Sequence, residues 1–454
     1  MSPGSQTSYV YDPANNLVTE TYPNGLRSTI HYDSMNRLTA MTTPNSGYLY
    51  QLGATGNRTS ATELTGRSVQ WSYDGIYRLT NEAIASDPAG GNGAVDYGLD
   101  PVGNRLSSTS SLSRISTSIS GYDSDDLMSA ESYDANGNTV TSGGRTFAYD
   151  SENHLTSMNN GGVTIIYDGD GNRVSKTASG VTTLYLVDDL NPTGYAQVIE
   201  EVSGGAVQRE YTYGLQRINE NQIVSGTWTP SFYGYDGGGT VRQLTNLAAA
   251  VTDRYNYDAF GNLLNSSGTT PNNYLYRGEQ YDQDLGLYYL RARYYNPATG
   301  RFLSRDPGRS RTAAPDATRN DLNSDTNQEV SFYLFGGPAS TPVSSDTQGC
   351  LISLSDENIC VPQAQHKYNY ANSDPIDRID PSGRDSLIEF SLEDSEIEAE
   401  EEGVKAGRCA VVKNLCWSGC FVAVTSAGIH GADAFGDTRA CTRRCMAAAG
   451  CFNY

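Results

Sequence analysis

The sequence predicts an all-β fold of hairpins laid side by side, and three observations point to it. Tyr-Asp pairs recur with their Tyr at 11, 32, 73, 122, 133, 149, 167, 235, 257 and 281, several of them 16–25 residues apart. That spacing is the period of a repeating array. The fuller unit reads Tyr-Asp-x-x-Gly-Asn and is followed by residues that alternate apolar and polar, the pattern of a strand with one face buried. Composition is the third observation. Only 37% of the residues are hydrophobic, and 32 Tyr and 47 Gly stand against 10 Phe, which suits thin stacked layers better than one large globule. A single helical element is expected, a small disulfide-clipped α-helical hairpin at the C-terminal end.

Residues 1–272 form the array. Its best copies are Tyr133-Asp-Ala-Asn-Gly-Asn138, Tyr167-Asp-Gly-Asp-Gly-Asn172 and Tyr257-Asp-Ala-Phe-Gly-Asn262; Leu99-Asp-Pro-Val-Gly-Asn104 and Tyr32-Asp-Ser-Met-Asn36 are decayed ones. Asp opens a turn by accepting from nearby backbone N–H groups, and Gly-Asn tolerates the positive φ that tight turns need. Each unit is therefore strand, turn, strand. One unit cannot bury its apolar face alone, so neighbours must pair into a continuous sheet. The aspartates of these pairs read as turn formers, not catalysts.

The formal net charge of −21 repels phosphate backbones and argues against nucleic acid as a partner of the array. No run of 18 apolar residues is present, so no spanning helix is expected. The first residues carry neither a basic nor an apolar signal region, and the array starts at once, so further repeats are expected upstream.

Where the array ends, Tyr276-Arg-Gly-Glu-Gln-Tyr-Asp runs on to Leu287-Tyr-Tyr-Leu-Arg-Ala-Arg-Tyr-Tyr-Asn-Pro-Ala-Thr-Gly-Arg-Phe-Leu-Ser-Arg-Asp306-Pro307. Two strands are expected around the Asn296–Gly300 turn. A second stretch, Tyr368-Asn-Tyr-Ala-Asn-Ser-Asp-Pro-Ile-Asp-Arg-Ile-Asp380-Pro-Ser-Gly383, completes a segment spanning 273–384. Together with the Tyr-Asp repeats, these motifs resemble the Rhs (YD-repeat) family and its core-associated end. The resemblance implies a β-hairpin ribbon that spirals into a shell, of which this chain would close a part.

It also implies a chemistry. Self-cleaving members resemble an intramolecular aspartic protease in which two Asp-Pro motifs bring two carboxylates together. The matching positions are Asp306 and Asp380, Arg293 matches an arginine near that site, and the implied cut falls between Arg384 and Asp385. Two close carboxylates share a proton, so one can activate water while the other protonates the leaving amide. Two features depart from the family pattern. Arg384 stands where Leu is usual, and Asp306 and Asp380 are 74 positions apart (380 − 306). The intervening 308–365, rich in Ser, Thr, Asp, Asn and Pro, reads as a flexible insertion pinched by Cys350 and Cys360. Asp-Pro-x-Gly equally fits a plain type I turn, so a structural role for both aspartates stays open.

Residues 385–403 form an acidic linker, with eight acids and no base between Glu389 and Glu402. The module at 404–454 is basic and rich in cysteine. Cys416 and Cys420, like Cys441 and Cys445, are four apart and share a helix face. Two disulfides would clip two such helices, and Cys409 and Cys451 could close the open end. Cys-x-x-x-Cys is a weak zinc pattern, so neither a metal nor a cofactor is expected. His430 lies in a small-residue loop and reads as incidental.

By the same resemblance, the tail is the chain's own cargo, a short effector that the shell encloses or presents and self-cleavage may release, making aspartic-type autoproteolysis the one enzymatic activity expected. The partners implied are upstream repeats or a delivery protein and a cell-surface or membrane target, and the location implied is secreted or cell surface. The competing readings are a non-enzymatic adhesion scaffold and an orphaned C-terminal fragment.

Overall fold

The computed structural model describes residues 6–191, 193–307 and 366–384, and the backbone of short strands at 344–345, 350–352, 358–360 and 387–388. Asp385, the acidic linker apart from the backbone of 387–388, the helical hairpin and Cys409, Cys416, Cys420, Cys441, Cys445 and Cys451 lie outside the described residues, as does most of the 308–365 insertion. Within that insertion the backbone register sets Cys350 opposite Cys360.

The chain divides into two compact units, residues 1–165 with 230–391 and residues 166–229 with 392–454. In the first unit, eleven strands from Ser8–Tyr11 to Ser118–Ile119 pair strictly in sequence order. Every pairing is antiparallel, as hairpins require. Further strands of this unit, such as Arg145–Tyr149 with Leu155–Met158 and Val241–Thr245 with Val251–Tyr257, follow the same rule. In the second unit, Arg173–Ala178, Val181–Asp188, Gln197–Ser203, Ala206–Tyr213 and Arg217–Val224 do likewise.

The repeat turn is built the same way each time. At Asp134 the main-chain carbonyl accepts from Gly137 N at 3.0 Å, and Asp134 N donates back to Asn138 O at 3.0 Å. One carboxylate oxygen, Oδ1, accepts from the N–H groups of Asn136 and Asn138 at 2.9 and 2.8 Å. The other, Oδ2, accepts from the Asn138 side chain at 2.9 Å. Gly137 sits at φ 83°, where a side chain is strained. In the decayed copy Asn36 takes that place at φ 57°, and Arg37 Nε replaces the asparagine amide on Asp33 Oδ2 at 2.7 Å.

The Tyr of the pair has its own task. The strand register slips at Tyr11, Tyr32, Tyr73, Tyr133 and Tyr149. At three of these the hydroxyl reaches the carbonyl just past an earlier turn: Tyr32 to Leu17 at 3.2 Å, Tyr73 to Arg58 at 2.6 Å and Tyr149 to Thr139 at 3.0 Å; Tyr133 instead donates to Glu131 Oε2 at 2.7 Å. Phe could pack at these three positions but could not make this bond.

An apolar core of the first unit joins Val69, Leu79, Ile84, Val95, Tyr97 and Leu112 of the eleven-stranded sheet to Ala259, Phe260 and Leu264 of a later hairpin and to Ile376. Within the first unit, this core packs repeat strands against the segment that carries Asp380.

Candidate functional site

A four-stranded sheet, Gln280–Asp282, Leu287–Leu290, Arg293–Asn296 and Arg301–Phe302, forms the platform. Its second and third strands join in a tight hairpin with Leu290 opposite Arg293, and Arg291 occupies the turn at φ 53°. Its third and fourth strands flank the Asn296–Gly300 turn, where Gly300 N donates to Asn296 O at 2.8 Å. Tyr295 stacks beside Tyr370 with ring centroids 4.3 Å apart, which ties the platform to the second core stretch.

Residues 366–384 lie along the outer edge of this sheet. Phe302 N donates to Tyr368 O at 2.9 Å and Asp306 N to Lys367 O at 3.0 Å. The 74-residue separation of the two aspartates is therefore closed by a main-chain ladder that starts on either side of the insertion. The stretch is also pinned to repeat turns. Tyr368 OH donates to Gly137 O at 2.7 Å and Ser373 Oγ to Gly103 O at 3.2 Å. Both Asp377 carboxylate oxygens accept from Arg58 N at 3.1 Å.

This docking brings Arg293, Asp306 and Asp380 together. Arg293 Nη2 lies 3.1 Å from Asp380 Oδ2 and 3.4 Å from Asp306 Oδ2. All three are buried, at 4%, 6% and 2% exposure. The guanidinium lies 3.6 Å from the centroid of the Phe302 ring and donates through Nε to Gly383 O. Asp380 sits in a turn of the repeat type: Gly383 N donates to its carbonyl at 3.3 Å and Arg384 N to its Oδ1 at 2.9 Å. Gly383 adopts φ 67°, and a Cβ there would fall 2.3 Å from Leu290 O, so only glycine fits. Arg384 itself is exposed.

Sequence reasoning picked out Arg293 but passed over its neighbour. Arg291 Nη1 contacts both Glu279 carboxylate oxygens, at 3.1 and 3.0 Å, and donates to Pro381 O. Glu279 follows a tight loop with Arg277 at φ 55° and Gly278 at φ 69°. Arg291 stands in the hairpin turn and Arg293 on the strand after it, so the two arginines of Arg-Ala-Arg have different partners.

A second group of buried carboxyls lies elsewhere in the same unit. Glu82 accepts from Ala259 N at 2.8 Å and Trp71 Nε1 at 3.2 Å. Burial, reinforced by the charge of Asp258, pushes its carboxyl up to about 7. Burial and the neighbouring Asp377 likewise raise Asp374 to about 7. Glu63 is held below the usual carboxylate range, because Arg242 and Arg67 together outweigh its burial. Glu82, Asp258, Glu63, Arg67 and Arg242 line a cavity of about 80 Å³ together with apolar side chains such as Val69 and Ile376. Among the described residues, no cluster of three His, Cys, Asp or Glu is arranged to hold a metal, and no helix is long and apolar enough to cross a membrane.

Comparison with known proteins places this geometry in context. The RHS Repeat family model matches residues 11–48. The tRNA3(Ser)-specific nuclease WapA of Bacillus spizizenii is 32% identical over 318 residues, 67% of this chain and 13% of that protein. The tRNA nuclease WapA of Bacillus subtilis is 31% identical over 316 residues, with the same coverage of each. The chain thus spans about 13% of the length of these relatives. Among solved structures, the TcdB2–TccC3–Cdc42 complex aligns over 83% of this chain and 19% of its own, with TM-score 0.59 and 16% identity. The Photorhabdus luminescens Tc holotoxin pore aligns over 85% and 19%, again at TM-score 0.59 and 16% identity. At that identity the likeness is one of fold. Sequential Tyr-Asp hairpins and these likenesses lead to one conclusion: the chain belongs to the RHS-repeat (YD-repeat) family.

Proposed function

We propose that this chain is part of an RHS-repeat shell that cuts itself between Arg384 and Asp385 and so frees its cystine-rich tail as an effector. One observation carries the reading: a single buried arginine, Arg293, contacts both Asp306 and Asp380. One positive charge balances one carboxylate, so a neutral site holds a single proton between the two acids. The charged acid takes a proton from water as the water oxygen bonds the Arg384 carbonyl carbon. The neutral acid then protonates the amide nitrogen as the C–N bond breaks, leaving a carboxylate on Arg384 and an amine on Asp385.

The relatives named as tRNA nucleases support an effector role for the freed tail, and the Tc complexes support assembly with other toxin components and a secreted or surface location. Intact mass under denaturing, reducing conditions tests the cut. A 70-residue tail (454 − 384) should leave the native chain and stay attached in Asp306→Asn and Asp380→Asn. A whole chain in all three would reject self-cleavage. A second reading, a non-enzymatic scaffold, is favoured by the fact that Asp380 makes the same turn as the repeat aspartates, and that outcome would leave it standing.

A further inference from the structure

We propose that Glu279 and Arg291 form a positioning clamp that holds the Asp380 turn against the platform, and that the self-cleavage proposed above depends on it. The inference rests on that reading for its effect on cleavage, but the clamp itself is geometric. Arg291 leaves the platform at the hairpin turn and lies between two partners. One is Glu279, whose two carboxylate oxygens it meets at 3.1 and 3.0 Å; the other is the Pro381 carbonyl, inside the Asp380–Gly383 turn. The Arg291 and Glu279 side chains are 18% and 14% exposed, so the pair is largely shielded and its geometry is costly to rearrange.

The next residue adds a main-chain tie, Ala292 N to Ser382 O at 3.2 Å. The two arginines of Arg-Ala-Arg thus divide the work. Arg293 meets both carboxylates and the Gly383 carbonyl, whereas Arg291 meets neither carboxylate and grips only the Pro381 carbonyl of the turn. Arg293 and the Ala292 tie also hold this turn, and Arg291 adds a grip on its Pro381 carbonyl; small misplacements of reacting groups are expensive.

The test uses the full chain. Arg291→Gln should slow appearance of the cut tail about 100-fold, and Glu279→Gln should slow it less. Arg291→Lys keeps a cationic donor and should recover part of the rate. Amide exchange in the Asp306→Asn background gives an independent readout. Arg291→Gln should speed exchange of the Arg384 N–H, which is bonded to Asp380, while leaving Phe302 N–H protected. Unchanged exchange at Arg384 would overturn the clamp whether or not the chain cuts. Faster exchange with an unaltered cleavage rate would overturn its role in cleavage. A native chain that never cuts would reject that role together with self-cleavage, and the exchange result would still decide the clamp.

Discussion

At Asp380 and at the repeat aspartates, different groups reach the second carboxylate oxygen. In the array, residue i+4 takes it: Asn16 from Asp12 at 3.0 Å, Asn104 from Asp100 at 2.9 Å, Asn262 from Asp258 at 2.8 Å. At Asp380 the i+4 residue is the exposed Arg384, and Oδ2 faces Arg293 at 3.1 Å. The candidate site is thus a repeat turn with its side-chain clasp exchanged for an arginine from another strand. Arg384→Asn should restore the clasp and compete with Arg293. A charge-assisted bond of about 1.5 kcal/mol then predicts cleavage slowed roughly tenfold. Arg384→Leu cannot form the clasp and should cut at the native rate. A mass time course of the two variants checks this, and equal rates for Asn and Leu would show that the oxygen is not contested. The aspartate's turn chemistry is legible in the sequence because it is local. The partner that changes its meaning lies 87 residues away (380 − 293) and is not.

Among the elements, the hairpins were the most legible part, because Asp, Gly and Asn set each turn within five residues. The reason for Tyr was less so: its hydroxyl bond runs to the turn of an earlier unit and appears only once strands are paired. Buried carboxyls in the sheet are a further element-scale property. Burial beside the charge of Asp258 pushes the folded carboxyl of Glu82 up to about 7 from its ordinary 4.5, so its contribution to stability is complete below about pH 4.5 and is lost as pH rises through 7. Asp374, raised from 3.8 to about 7, acts in the same direction. Thermal midpoints should therefore fall between pH 4.5 and 7.5. Glu82→Gln should flatten that slope, since glutamine stays neutral throughout. An identical slope in the variant would mean that Glu82 is ionised at little cost in the fold.

Over the molecule, the repeat turns do more than reverse the chain. Those ending at Asn57, Asn104 and Asn138 present the groups on which the 366–384 stretch docks: Arg58 N, Gly103 O and Gly137 O. Arg301 adds a bond to Asn104 Oδ1 at 2.8 Å. This row of contacts was not legible, because it joins residues 197 to 319 apart in sequence, such as Gly137 and Tyr368, 231 apart. Family resemblance supplied the three site residues; docking on the repeat turns is the physical means by which they meet. The array is therefore a template for the site as well as a sheet.

The main-chain bond from Asp306 N to Lys367 O has a consequence for engineering. It puts the two ends of the intervening segment one hydrogen bond apart, the situation in which a host tolerates a change of passenger. Replacing residues 310–363 with a short Gly/Ser linker should leave the thermal midpoint within a few degrees and the mass of any released tail unchanged. A collapse of either would show that the segment braces the site. If both hold, this position becomes a port: a foreign domain could be spliced between the two halves of the site and carried without being threaded through the sheet.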